Sequence, residues 1–172
     1  MNKIWLISDT HFGHEKILEY CDRPFSSIRE HDEYLIYKWN SKVEKDDTVV
    51  HCGDFALGTS RGYINSVCKK LNGKKRLVLG NHDIHTDIFA KYFKLYGSFE
   101  PRRGVICTHI PIHPMNIMSD LNRFKINIHG HTHNTEVLTY DSPTKRSKHK
   151  NYVNVSVEKI NYTPVLLSKA IK

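Results

Sequence analysis

The sequence of 172 residues contains no long hydrophobic run. No stretch approaches the roughly 18 apolar residues of a membrane-spanning helix, so we expect no membrane partner. Residues 1–3 lead straight into an apolar stretch, without the charged-then-apolar pattern of a secretory signal, and we predict a cytosolic protein. Internal repeats, low-complexity segments and linkers are also missing. At this length we predict one domain over residues 1–172.

Cysteine is scarce, and its spacing follows no pattern. The four cysteines form no C-x-x-C pair, and disulfides are rare in the cytosol, so we expect four structural thiols. The net charge of +8 favours anionic partners. The densest basic run, residues 144–150, lacks the interleaved aromatic side chains of a nucleic-acid stacking surface. We interpret this run as a solvated hairpin loop, with a nucleic-acid patch as the alternative.

The sequence does contain short histidine and aspartate motifs, each of which follows an apolar stretch of β character. They read Asp9-Thr10-His11, Gly53-Asp54, Gly80-Asn81-His82-Asp83, Thr108-His109 and Gly130-His131-Thr132-His133. Polar groups at the ends of buried strands converge on one edge of a sheet, so these motifs predict a metal site. Imidazole, carboxylate and amide donors suit divalent metals, and a pair of such ions can clamp a phosphoryl group and activate a water. Asp54, alone after Gly53 at a strand end, is the natural bridge between two ions.

In this order the motifs resemble the signature of the calcineurin-like metallophosphoesterases. The resemblance spans residues 4–133, and residues 154–158 and 162–164 are similar to the closing strands of short bacterial and phage members. It implies a four-layer αββα sandwich, in which two mixed β-sheets are flanked by helices. The residues by themselves indicate only the α/β or α+β class.

The resemblance also implies a role for each motif residue. The residues that match the ligands of the first metal are Asp9, His11, Asp54 and His133, and those that match the ligands of the second are Asp54, Asn81, His109 and His131. His82 matches the histidine that contacts the scissile phosphate and protonates the leaving oxygen, and Asp83 matches its orienting partner. We expect two divalent ions, with Mn²⁺ preferred and Fe, Zn or Ni as alternatives.

Four further residues are candidates for substrate contacts. His14 lies three positions after His11 and could reach the phosphate, although a surface histidine at a helix start is an equal alternative. His113 lies in a loop bracketed by prolines. Arg23 and Arg123 lie on predicted loops, where a planar guanidinium can donate paired hydrogen bonds to phosphate. The alternative for each arginine is a surface ion pair, and we also expect His31 at the surface.

The function predicted from these residues is hydrolysis of phosphoesters by a metal-bridging hydroxide. Because no cap domain is present, we favour a phosphodiesterase acting on small diesters, cyclic phosphates or nucleotide and nucleic-acid ends. The first alternative is a phosphomonoesterase, including a protein phosphatase. The second is a non-catalytic metal-binding scaffold, which would have no reason to retain every ligand. Whether the protein is a monomer or a homodimer stays open.

Hydrophobic periodicity predicts the regular elements. We expect helices over residues 15–20, from Ile28 to before Val43, after Ser60, and over residues 83–93. The second half should be predominantly β, with strands at 98–100, 104–108, 125–129, 135–140, 151–157 and 162–168.

Overall fold

The structure is a computed structural model that describes residues 2–117, 121–142 and 145–171. In chain order its elements are β1 (Ile4–Ile7), α1 (Ile17–Tyr20), α2 (Ile28–Asn40), β2 (Thr48–His51), α3 (Arg61–Lys70), β3 (Lys74–Val78), α4 (Thr86–Phe89), β4 (Phe93–Tyr96), β5 (Phe99–Arg102), β6 (Val105–Cys107), a 3-10 helix (Pro114–Asn116), β7 (Ile126–His129), β8 (Leu138–Ser142), β9 (Lys145–Lys148), β10 (Tyr152–Asn154), β11 (Val165–Leu166) and α5 (Leu167–Ala170). Among the described residues, no helix combines the length and the apolar character that a bilayer span requires.

Two mixed sheets carry the architecture. The first has the strand order β11-β1-β2-β3-β4, with β1 to β4 parallel and β11 antiparallel. The second has the order β10-β7-β6-β5, with β5 antiparallel to an otherwise parallel set. The carboxyl ends of parallel strands meet at one edge of their sheet. The loops after β1, β2 and β3 therefore share one edge, and those after β6 and β7 share another.

Side chains that alternate along the strands form one hydrophobic core on each face of the first sheet. In β1, Leu6 packs between the sheets with Val50, Val105 and Ile128. Its neighbours Trp5 and Ile7 point to the opposite face, because successive strand side chains alternate. That face is covered by apolar residues of α2 and α3, including Leu35, Trp39, Ile64 and Val67. Two mixed sheets with flanking helices confirm the predicted fold class.

The helix predicted over residues 83–93 is largely wrong. Only α4, Thr86–Phe89, is helical, and Phe93–Tyr96 forms β4 instead. β4 pairs in parallel with β3, which places Leu95 opposite Leu77. The gain from adding a strand to the buried sheet outweighs the helical pattern, as tertiary context commonly overrides propensity.

Three expectations near the carboxyl end also need correction. The basic run predicted as a loop contains β9, Lys145–Lys148, which pairs with β8, whereas Thr144 lies outside the described residues. The strand expected over 151–157 ends at Asn154. Beyond it the chain turns from the second sheet to the first, where Val157 donates its N–H to the carbonyl of Ser8, the residue after β1. The strand expected over 162–168 is the two-residue β11, followed by α5.

Candidate metal centre

Five of the predicted ligands adopt left-handed backbone conformations just beyond strand ends. The φ angles of Asp9, His11, Asp54, His131 and His133 are 57°, 49°, 56°, 67° and 44°. Such angles are uncommon for residues other than glycine. They persist only where surrounding contacts impose them, and they cluster at functional sites. The strand-end loops are therefore shaped around these five side chains.

The structure brings the seven predicted ligands into two adjoining groups. The donor atoms of Asp9, His11 and His133 lie within 4.8 Å of one another, and so do those of Asp54, His109 and His131. Asn81 joins the second group, since its Oδ1 lies 2.9 Å from His109 Nε2.

Asp54 lies where the two groups meet. Its Oδ2 is 3.3 Å from His109 Nε2 in one group and 3.7 Å from His11 Nε2 in the other. One carboxylate oxygen is thus within reach of ions held by either group. This is the position that a bridging ligand requires.

His11 provides a test of whether these residues fit metal ions. Its ring is buried, yet neither Nδ1 nor Nε2 has a hydrogen-bond partner among the described residues. Buried polar atoms normally have partners, and leaving one unsatisfied is costly. Burial, opposed by the charge of Asp54, lowers the pKa of His11 to about 2, so the ring is neutral, as a metal ligand must be. The site therefore fits an ion bound by His11.

Contacts outside the two groups orient the ligands. His109 Nδ1 lies 2.9 Å from the Cys52 carbonyl, to which it donates, so its Nε2 faces the second group. Asp9 Oδ2 accepts a hydrogen bond of 2.9 Å from Ser156 Oγ. His133 Nδ1 lies 3.0 Å from Glu158 Oε1. Such outer contacts fix ring orientation and tune metal affinity.

Sequence reasoning missed Glu158 as part of this site. Its carboxylate is buried between His133 and Arg23. The only available signal was its position in the tail segment at 154–158, since nothing in its own neighbourhood resembles a metal motif.

The charges of the site favour ionised carboxylate at the bridge. Burial alone would raise the pKa of Asp54, but the hydrogen bond and charge of His109 and the backbone N–H of His82 lower it to about 2. Burial would lower the pKa of His133, but contacts with Cys21 and Glu158 and the charge of Asp9 raise it to about 10. An ion that binds His133 must displace a proton.

The glycines of two motifs are required by close approach to the ligand carboxylates. A Cβ atom on Gly80 would lie 2.2 Å from Asp54 Oδ1, and one on Gly130 would lie 2.2 Å from Asp9 Oδ2. Only a residue without a side chain permits these distances. The glycine of each motif therefore makes room for a carboxylate that is supplied by a different motif.

We expect Gly80→Ala to displace the Asp54 carboxylate and to lower metal content. The matched control is Gly97→Ala, because a Cβ there meets nothing within 4 Å. Overpacking of this kind costs about 1–3 kcal/mol, so the melting temperature should fall for Gly80→Ala alone. Elemental analysis and thermal unfolding of both variants measure the effect. Full metal content in Gly80→Ala would contradict the close packing.

His82 lies beside the metal ligands without belonging to either group. Its side chain is 41% exposed, and its Nε2 lies 4.0 Å from Asp54 Oδ2. The ring centroid is 5.7 Å from that of His11. A molecule that reaches the two groups from solvent would therefore meet this ring.

Asp83 does not contact the His82 ring as expected. Its Oδ2 accepts from the backbone N–H groups of Gly80 and Asp54, and its Oδ1 accepts from that of Phe55, at 2.8–2.9 Å. The carboxylate therefore joins the two loops that carry Asp54 and His82. The structure therefore gives Asp83 a backbone role in place of the predicted orienting role, because its three hydrogen bonds all come from backbone N–H groups.

Arg23 is also corrected as a substrate candidate, because its side chain is wholly buried. Its guanidinium nitrogens donate to the Asp9 and Thr10 carbonyls, to Glu158 and to His31 Nε2. Five such contacts use all five N–H groups of an arginine. Arg23 instead fixes the backbone that bears the first ligands. His31, expected at the surface, is buried against it.

We expect Arg23→Ala to destabilise the fold. Removing one partner of a buried pair leaves an uncompensated charge and costs about 3–5 kcal/mol, here the carboxylate of Glu158. Arg103→Ala, at an exposed position, is the matched control. Urea unfolding of both variants measures the difference. A stable Arg23→Ala protein with a raised KM would instead restore the substrate role.

The other substrate candidates occupy different places. Arg123 precedes β7 and pairs with Glu100, whereas the ligand His131 follows the opposite end of that strand, so Arg123 is corrected to a surface ion pair. His113 is exposed, and its Nδ1 caps the 3-10 helix by accepting from the Met115 N–H. His14 lies closest to the centre, with its ring 5.5 Å from that of His11.

Comparisons with known proteins agree with this geometry. The family model for calcineurin-like phosphoesterases matches residues 2–112, so His131 and His133 lie beyond the matched range. A Methanocaldococcus jannaschii relative, the uncharacterised protein MJ1445, is 37% identical over 100% of this chain and 91% of its own. The gene 66 protein of Mycobacterium phage L5 is 29% identical, covering 92% of this chain and 87% of its own.

The fold has a counterpart among solved structures. AQ665 of Aquifex aeolicus, described as a protein of unknown function, aligns with a TM-score of 0.73 and 21% identity, over 98% of this chain and 97% of that one. The family match, the relatives and the clustered donors agree. The chain belongs to the calcineurin-like phosphoesterase family, and it is a metal-dependent phosphoesterase.

Proposed function

We propose that this protein is a phosphodiesterase with a dinuclear centre that acts on small or nucleotide-type diesters. Asp9, His11, Asp54 and His133 would hold one ion, and Asp54, Asn81, His109 and His131 the other. The observation that carries the proposal is the position of Asp54 Oδ2, within 3.7 Å of both His11 Nε2 and His109 Nε2. When bound, two divalent ions supply positive charge for the phosphate and an activated water.

The residues of the chain supply the remaining steps. His82 is the proposed general acid, because its exposed ring stands next to the bridging carboxylate without being required as a ligand. An imidazole so placed can donate a proton to the leaving oxygen. Asp83 holds the loops of His82 and Asp54 together through three backbone N–H groups. Arg23 holds the Asp9 and Thr10 carbonyls and so fixes the first ligand loop.

The charge of the centre supports diesters over monoesters. Two divalent ions would face the ligand carboxylates of Asp9 and Asp54 and one hydroxide, which leaves a surplus of about one positive charge. The nearby Glu158 carboxylate adds little, because Arg23 neutralises it at 2.6 Å. A site with a small surplus has no special need for the second negative charge of a monoester. Nucleotide-type diesters carry the single charge that matches it.

We also propose Mn²⁺ as the preferred metal and the cytosol as the location, with the protein a monomer or a homodimer. Imidazole-rich donor sets suit transition metals better than Mg²⁺. The thiols of Cys52 and Cys107 are both buried and free. A compartment that keeps thiols reduced suits such a pair.

The experiment that tests the function compares bis-p-nitrophenyl phosphate with p-nitrophenyl phosphate. Chelated protein should be inactive with both, and it should recover more fully with Mn²⁺ than with Mg²⁺. The diester should then be hydrolysed at least as well as the monoester, judged by kcat/KM. A monoester preference of about tenfold, or about 1.4 kcal/mol, would overturn the diesterase proposal. Full activity in metal-free protein would overturn the dinuclear centre.

A further inference from the structure

A groove opens directly beside the metal ligands, on the side of His14. Its volume is about 870 Å³, and it is lined by residues 13–16, residues 28–29, residues 58–60 and Tyr63. It therefore lies between the loop after β1, the start of α2 and the start of α3. We call it the His14 groove.

His14 connects this groove to the proposed reaction centre. Its ring centroid lies 5.5 Å from that of His11. Its Nδ1 is buried and has no hydrogen-bond partner in the part of the chain that the structure describes. The His14 ring thus lies next to the ligand His11 and also lines the groove.

The walls of the groove are held in place before any ligand binds. Asp32 Oδ2 accepts 2.8 Å from the Gly13 N–H and 2.6 Å from the Tyr63 hydroxyl. These two donors belong to two different segments that line the groove, the loop after β1 and α3. Asp32 is itself buried and bonded to His31 at 2.7 Å. A preformed groove of this kind is typical of ligand sites.

Charge and surface indicate what the groove would accept. Two cations, Lys16 and Arg29, face it, but Glu15 also lines it, and Arg29 Nε is bonded to Glu33 Oε1 at 2.9 Å. The positive charges are therefore balanced, which gives no reason to bind a second phosphate. Ile28 and Tyr63 contribute apolar surface, on which a flat ring can pack.

We propose that the His14 groove binds the ester arm that stays on phosphorus, and that this arm is aromatic or a nucleoside. His82 would protonate the leaving oxygen. The groove beside His14 is then available for the ester arm that does not leave. The inference rests on the proposed phosphodiesterase function. It adds that the choice of substrate depends on groove residues that neither bind a metal ion nor transfer a proton.

The test compares two diesters that share a leaving group. Thymidine 5′-(4-nitrophenyl phosphate) carries a nucleoside arm, whereas methyl 4-nitrophenyl phosphate carries almost none. With Mn²⁺-loaded wild-type protein we expect kcat/KM to be about tenfold higher for the nucleoside ester, as burial of one ring predicts. The variants Arg29→Trp and Lys16→Trp, both at exposed rim positions, should occlude the groove.

In these variants the preference for the nucleoside ester should collapse, through a raised KM more than a lowered kcat. Hydrolysis of the methyl ester, which places no ring in the groove, should fall much less than hydrolysis of the nucleoside ester. Lys45→Trp, at an exposed position before β2, is the matched control and should keep the wild-type ratio. Equal kcat/KM for both esters in the wild type, or an unchanged ratio in both rim variants, would contradict the groove proposal. The proposed phosphodiesterase function would not be affected by either result. Turnover of neither ester by metal-loaded protein would instead overturn the proposed function, and the groove proposal with it.

Discussion

Asp54→Asn should empty both metal positions and abolish phosphoester hydrolysis. Asp54 Oδ2 lies between the two ligand groups, and an amide supplies neither the charge nor two equivalent oxygens. The shape of the side chain is kept, and its Oδ1 can still accept the His82 N–H, so the fold should survive. Without the metals, the transition state loses several kcal/mol of charge stabilisation. We therefore expect kcat/KM to fall by about 10³-fold or more.

Elemental analysis after dialysis, followed by diester kinetics, measures this loss. Asp46→Asn is the matched control, because it makes the same chemical change at an exposed carboxylate that pairs with a surface lysine, Lys74. The control should retain metal and activity. If Asp54→Asn kept two ions per chain, Asp54 could not be the bridge, and the two groups would have to bind their ions independently.

His82→Ala should keep both ions and still lose turnover. The contact of His82 with Asp54 Oδ1 is made by its backbone N–H at 3.0 Å, and alanine preserves that donor. Only the exposed imidazole is lost. General acid catalysis contributes about 10²–10⁴-fold, so alkyl diesters should slow by that factor. Esters of 4-nitrophenol should slow less, because their leaving group needs little protonation.

Parallel kinetics on an alkyl and a nitrophenyl ester, with metal content measured for each preparation, separate the possible roles. His85→Ala, three positions further along the chain, serves as the control and should behave as wild type. An equal loss on both esters would show that His82 mainly binds phosphate. Loss of metal would make it a ligand.

The family and the grouping of the ligands could be predicted because the motifs are local. Each one places donors directly after a hydrophobic strand, as with Asp9 after β1 and His109 after β6. Parallel pairing then brings those loops together. The glycines are likewise part of the local motifs. The reason why Gly80 must be glycine is visible only in the structure, where the Asp54 carboxylate lies against it.

The roles of Arg23 and Glu158 could not be predicted, because they depend on contacts between distant parts of the chain. The two residues are 135 positions apart in sequence. An arginine on a loop beside a phosphate site resembles a substrate ligand until its burial is known. His31 lies only eight positions from Arg23, and it was misplaced because its burial depends on how α2 packs against the loop that carries Arg23. The predicted helix over residues 83–93 was extended too far, because Phe93 begins the strand β4, which pairs with β3.

The contacts of Ser156 and Glu158 have a consequence for the order in which the molecule is assembled. Ser156 bonds to Asp9 across 147 positions of sequence, and Glu158 supports His133. During synthesis, a ribosome-bound chain that has exposed all seven ligands would still lack both supports. Distant pairings of this kind form slowly. The finished centre would thus be among the last parts of the molecule to form, and nascent chains stalled before residue 156 would hold the first ion weakly.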